Sequence, residues 1–154
     1  MKSYIRNVSI FSLLLFGISY MLNSCCTEKM CIGSKDLDCI TFYNFSSNDL
    51  DTMIIKEYMK GSNYSKVRDS LMITPQDIPL IPVEQIIRLP KKIDVACDYE
   101  ITLSSGQTFR ISDFETSKEK CNEGFLCFDY FIALKQYKVN NKVQKAGFLK
   151  IYNQ

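Results

Sequence analysis

The chain contains no histidine. That absence removes the usual general base, the most common metal ligand, and any Ser-His or Cys-His nucleophilic couple. It contains no glycine-rich phosphate loop and no CxxC pair of zinc-site spacing. Asn48-Asp49-Leu50-Asp51 offers oxygen ligands, but the glycine and distal glutamate of an EF-hand loop are missing. Alanine is scarce, which argues against a helical bundle, and no internal repeat aligns. Basic clusters are lacking too, since Lys91-Lys92 is too small to form a phosphate-binding track. A nucleic-acid partner is therefore not expected. Long apolar runs are also absent. The longest, Val8 to Leu22, is diluted by Ser9, Ser12 and Ser19, and it falls short of the roughly 20 residues a membrane-spanning helix needs.

That short run has a clear reading of its own. Lys2 and Arg6 form a positive n-region, Val8 to Leu22 an h-region, and the run closes on Leu22, Asn23, Ser24 and Cys25. A large apolar residue, two further residues ending in a small one, then cysteine: this order resembles the lipobox of bacterial lipoproteins. The resemblance implies that residues 1–24 are a cleaved signal peptide and that the Cys25 thiol carries a diacylglyceryl group. Each buried methylene contributes about 0.8 kcal/mol, so two or three acyl chains hold a domain at a membrane without a spanning helix. With Lys2 and Arg6 set aside, 17 basic residues face 17 acidic ones, so the mature part is formally neutral.

Seven cysteines are many for 154 residues. With Cys25 lipidated, an even number remains, which in an exported chain suggests disulfides. Cys121 and Cys127 flank the turn-like Asn122-Glu123-Gly124 and are the first expected pair, a closure contributing about 2–3 kcal/mol. Cys39 with Cys97 is the second. Buried free thiols are the alternative.

Residues 25–37 are polar and aperiodic, as in a flexible tether, leaving 38–154 as one domain. Strands are expected over Asp38–Phe45 and Leu50–Met59, joined as an antiparallel hairpin through the turn residues 44–49. Val67–Ile73 fits either a strand or a short helix. Pro75, Pro79 and Pro82 mark an extended loop, and Glu84–Leu89 a short strand.

The clearest alternation follows. Ile93, Val95, Cys97, Tyr99, Ile101 and Leu103 interleave with polar or small residues, Ser105-Gly106 permits reversal, and Phe109 and Ile111 continue the pattern. Phe114–Gly124 reads as a charged loop, Phe125–Val139 as a long aromatic strand, Asn140-Asn141-Lys142 as a turn, and Val143–Tyr152 as the closing strand. The whole is an all-β chain, an antiparallel β-sandwich of about six to eight strands.

The acid pairs Asp36/Asp38, Asp49/Asp51 and Glu115/Glu119 have spacings at which carboxylates can cooperate, but each sits in polar surroundings that favour solvated charge. Tyr99, Phe109, Phe128, Tyr130, Phe131, Tyr137, Phe148 and Tyr152 could line a ligand groove, but core packing accounts for them more simply.

With the lipobox, the stretches Ile40–Ile55 and Tyr99–Cys121 resemble the small exported lipoproteins of Bacteroides-type bacteria. The resemblance implies an outer-membrane address and a β-rich domain. It also implies O-glycosylation at Asp-Ser/Thr-apolar triplets, making Thr52 and Ser70 candidates. The expected role is a non-catalytic envelope module with a protein or glycan partner and no cofactor. A periplasmic inhibitor or immunity-type protein is the alternative, ahead of a hydrolase using carboxylates alone.

Overall fold

The computed structural model describes residues 31–74, 84–122, 128–145 and 147–153. Among them run nine strands: β1 (Cys39–Tyr43), β2 (Met53–Met59), β3 (Val67–Ile73), β4 (Glu84–Arg88), β5 (Cys97–Leu103), β6 (Thr108–Lys120), β7 (Tyr130–Val139), β8 (Lys142–Lys145) and β9 (Leu149–Tyr152). They make a three-stranded sheet, β4-β1-β9, and a six-stranded sheet, β3-β2-β5-β6-β7-β8. The expected all-β, sandwich-type architecture is what the chain adopts. The expected signal peptide, Cys25, Cys26, Cys127 and most of the proline-rich loop lie outside the described residues.

The chain divides into a larger unit, residues 32–118 and 132–154, and a smaller one, residues 1–31 and 119–131. In the larger unit, alternation does what the sequence predicts. Cys97, Tyr99, Ile101 and Leu103 of β5 point inward with Phe109 and Ile111 of β6, in the register Tyr99↔Ile111 and Ile101↔Phe109. Ile40 and Phe42 of β1 and Leu149 and Ile151 of β9 supply the opposing face, all fully buried. Each such side chain contributes about 1.5–3 kcal/mol of burial. The segment before β1 is part of this body. Leu37 and Ser34 are buried, Ser34 N donates to Ile132 O at 2.6 Å, and Ile93 N donates to Leu37 O at 2.8 Å. The packed domain thus starts ahead of the expected boundary at Asp38.

Four expectations are corrected. First, β1 and β2 are not a hairpin, because they lie in different sheets. Between them a 3-10 turn, Ser47–Leu50, is fixed by a capping box: Asp49 N donates to Ser46 Oγ at 3.3 Å and Ser46 N to Asp49 Oδ2 at 2.9 Å. Leu50 is buried beneath it, so the chain crosses from one layer to the other.

Second, the sandwich is not wholly antiparallel, since β9 pairs with β1 in parallel, Ile40↔Leu149 to Tyr43↔Tyr152. Third, the closing segment is two strands rather than one. Gly147, at φ +142°, lies between β8 in the large sheet and β9 in the small one. Fourth, the expected loop from Phe114 is mostly strand, because β6 runs on to Lys120. Val67–Ile73, ambiguous in sequence, is a strand at the edge of the large sheet.

Tyr137, fully buried on β7, ties the two sheets together. Its hydroxyl accepts from Lys150 N and has the carbonyls of Phe148 (3.2 Å) and Lys150 (3.3 Å) as acceptors for its one proton. This occupies backbone groups along the edge of β9 that would otherwise be left unpaired.

The smaller unit holds the disulfide. Cys31 is bonded to Cys121 with Cα atoms 5.8 Å apart, Cys121 N donates to Asp129 O at 2.9 Å, and Asn122 Nδ2 donates to Asp129 Oδ2 at 3.1 Å. Cys121 is therefore not paired with Cys127. The local turn does not decide its partner, because Cys121, directly after the end of β6 at Lys120, lies within disulfide distance of Cys31. Cys39 and Cys97 are free. They sit on β1 of the small sheet and β5 of the large one. Cys39 lies on the outward-facing set of β1 and Cys97 on the inward set of β5, so no bridge forms.

Candidate functional site

The outer face of the large sheet carries a polar network built by cross-strand pairing. Tyr58 pairs with Asp98, and Glu100 pairs with Arg110. Tyr58 Oη donates to Glu100 Oε1 at 3.3 Å, and Arg110 Nε donates to Glu100 Oε2 at 3.1 Å. The Arg110 guanidinium lies over the Tyr64 ring, 4.8 Å from its centroid, and Tyr58 meets the same ring edge-on. Burial raises the Tyr64 phenol above its ordinary value.

Beside this network is a groove of about 580 Å³, within the size range of ligand sites. The turn after β2 supplies Lys60, Gly61, Asn63 and Tyr64; β5 supplies Asp98; β6 supplies Arg110, Ser112 and Asp113; the β7–β8 turn supplies Asn140 and Asn141. A second recess of about 380 Å³ shares Lys60 and Asp113 with it and adds Phe114, Glu115, Gln136, Tyr137, Lys138 and Val143. Lys138 Nζ lies 2.9 Å from Asp113 Oδ2.

Asp98 is the unusual member. It points to the outward face, yet it is only 6% exposed. The turn after β2 folds over it, and Gly61 N donates to its Oδ2 at 3.1 Å.

The backbone is strained around this groove. Among the described residues six non-glycine positions have positive φ, and five of them line it: Asn63 (49°), Tyr64 (58°), Asp113 (53°), Asn140 (47°) and Asn141 (67°). Asn140 and Asn141 make the tight turn their type favours. Asp113 is also of a type that tolerates this region, whereas Tyr64 is not and costs on the order of 1–3 kcal/mol. Asp113 is a bulge that switches the inward phase of β6 from Phe109 and Ile111 to Phe114. The Asn140 turn is fastened to β6, with Arg110 N donating to Asn140 Oδ1 at 2.8 Å and Asn140 N to Arg110 O at 2.9 Å.

A second charged cluster lies on the inner side of the same sheet. Glu57 is buried on β2, and the β2–β3 register shifts at Glu57/Tyr58, which leaves Arg68 as the extra residue between partners Val67 and Asp69. Arg68 Nη1 stands 3.2 Å from Glu57 Oε1 and 3.4 Å from Asp94 Oδ2. Lys91 Nζ lies 2.9 Å from Glu57 Oε2 and 2.8 Å from Asp69 Oδ2. The Cys97 thiol donates to Glu57 Oε1 at 3.4 Å. Burial, joined by the Glu57 charge and opposed by the hydrogen bond from Arg68 at 3.0 Å, raises its pKa. The cavity beside the cluster is about 30 Å³, room for little more than water. This is a structural ion cluster.

Of the residues singled out from the sequence, Glu115 and Tyr137 border the second recess, and none lines the main groove. Asp36 is held by Lys92 at 3.0 Å, Asp38 faces Arg88 at 3.6 Å, and Asp49 belongs to the capping box. The hydrogen bond from Lys92, and then that from Gly33 N, hold the Asp36 carboxyl below its usual range. Thr52 is half-buried ahead of β2, while Ser70 is exposed on edge strand β3. Of the aromatic set, Tyr99, Phe109 and Tyr137 are core, whereas Phe128, Tyr130, Phe148 and Tyr152 are substantially exposed.

Sequence reasoning missed Tyr64, Asp98 and Arg110. Asp98 and Arg110 were outward positions of a β-hairpin, and only the fold of residues 60–64 over them makes a recess. Among the described residues no three Cys, Asp or Glu side chains converge as metal ligands. Comparison with known proteins finds no match to a family model, a curated protein or a solved structure.

Proposed function

We propose that this chain is an exported lipoprotein, held at the outer membrane of the cell envelope by lipid on Cys25. We further propose that its β-sandwich is a non-catalytic binding module whose ligand seat is the groove lined by Asp98 and Arg110. The observation that carries the binding role is a mostly buried carboxylate opening on a preformed polar recess. The Cys31–Cys121 disulfide supports an oxidising compartment. The lipobox supports the tether.

The test is photo-crosslinking in intact cells with p-benzoylphenylalanine placed either at Lys60, on the groove rim, or at Ile86, exposed on the other sheet. Adducts from Lys60 and none from Ile86 are expected. Adducts from neither position, or equally from both, contradict the assignment. Specific capture of one hydrolase would move the protein to the inhibitor class.

A further inference from the structure

Resting on the binding reading above, we infer that the groove's ligand is a neutral glycan longer than one sugar unit, with Asp98 as the acceptor for its hydroxyls. The main lobe has two cationic side chains, Lys60 and Arg110, and two anionic ones, Asp98 and Asp113. Balanced charge selects neither an anion nor a cation. The lobe is lined by no aliphatic side chain, so it gives a lipid or other apolar ligand nothing to pack against. A neutral ligand rich in paired donors and acceptors remains, and that is the chemistry of a sugar's adjacent hydroxyls.

The lining is suited to such a ligand. Asparagine amides present a donor and an acceptor side by side, and guanidinium and carboxylate present forks. Asp98 accepts from Gly61 N, and a carboxyl group's two oxygens have room for further donors. A hydroxyl is a donor that brings no charge. The Tyr64 ring is already engaged by Arg110 and Tyr58, so it positions the guanidinium and is not a stacking platform. Binding by hydrogen bonds alone is weak, with Kd on the order of 0.1–1 mM. The left-handed residues fix the lining beforehand, which limits what is lost on ordering. The neighbouring recess shares Lys60 and Asp113 and adds apolar Phe114 and Val143, which offers a longer glycan a second ring position.

The test uses the full lipidated protein in a detergent that is not itself a glycoside. Maltoheptaose, laminarihexaose, cellohexaose, xylohexaose, mannohexaose and chitohexaose are titrated calorimetrically, beside polygalacturonate, heparin and an unstructured peptide. Hydrogen-exchange mass spectrometry then locates the contact.

At least one neutral oligosaccharide is expected to bind and to protect residues 60–64 and 110–113. Asp98→Asn is expected to weaken it at least tenfold. Ser112→Phe blocks the groove from an outward position and leaves the core alone, so it gives the same loss should Asp98→Asn disturb the fold. Binding by no neutral glycan, or undiminished binding to Ser112→Phe, overturns the inference. If Lys60 still crosslinks in cells, the binding module stands with another ligand class. If it does not, both fail.

Discussion

Glu57 and Tyr137 show how single side chains set the terms of this fold. Burying a carboxylate is costly, and Glu57 has a cation on each oxygen to offset that cost. Both cations are half-exposed, so Arg68→Met or Lys91→Met alone is expected to cost about 1 kcal/mol or less. Together they leave the charge uncompensated, and the double variant is expected to lose about 3–5 kcal/mol in urea unfolding. Adding Glu57→Leu should recover most of that loss. Additive, small losses in the double variant would contradict the pairing.

Burial pushes the Tyr137 phenol up to about 12 from its ordinary value of 10. The folded state therefore holds this proton more tightly than the unfolded chain. The stability it contributes is complete below pH 10 and is lost as pH rises from 10 through 12. Absorbance at 295 nm with near-UV circular dichroism should show a late phenol titrating as the structure melts. Tyr137→Phe, which strips Lys150 of its partner, should cost about 1–3 kcal/mol.

At the scale of elements, the strands were more legible than their partners. The period-two run through β5 and the start of β6 gives the hairpin and its inward face, because one sheet face is buried and the other wet. The same pattern in β1 and β2 is satisfied by a hairpin or by opposing sheets, and local sequence does not separate the two. The continuation of β6 was hidden by the Asp113 bulge, which flips the alternation just where charged residues begin. Phe114 is therefore core rather than loop. Phe114→Ala is expected to cost about 3–5 kcal/mol in chemical denaturation, against under about 0.5 kcal/mol for a surface-loop residue. The groove was illegible for a related reason. The turn at Asn140 and Asn141 reads correctly from the sequence, but its convergence with residues 60–64 over Asp98 and Arg110 is a property of the assembled sheet.

At the scale of the whole molecule, one covalent link bears on how firmly the chain is held, and a second, the proposed lipid thioether, on where it resides. The Cys31–Cys121 bond spans 90 residues, and loop-closure entropy assigns such a link about 4–5 kcal/mol. Replacing both cysteines by serine should lower stability by about 2–5 kcal/mol in the absence of reductant. An unchanged midpoint would remove the disulfide from the account of stability. The thiols of Cys39 and Cys97 should remain unlinked, with Cys97 alkylated only after unfolding. The proposal that a binding domain is tethered to the envelope is tested most directly by the intact mass of protein extracted from native membranes. The expected species begins at Cys25, carries a diacylglyceryl thioether there, and lacks residues 1–24. A bare Cys25, or a chain that still retains its leader, would contradict it.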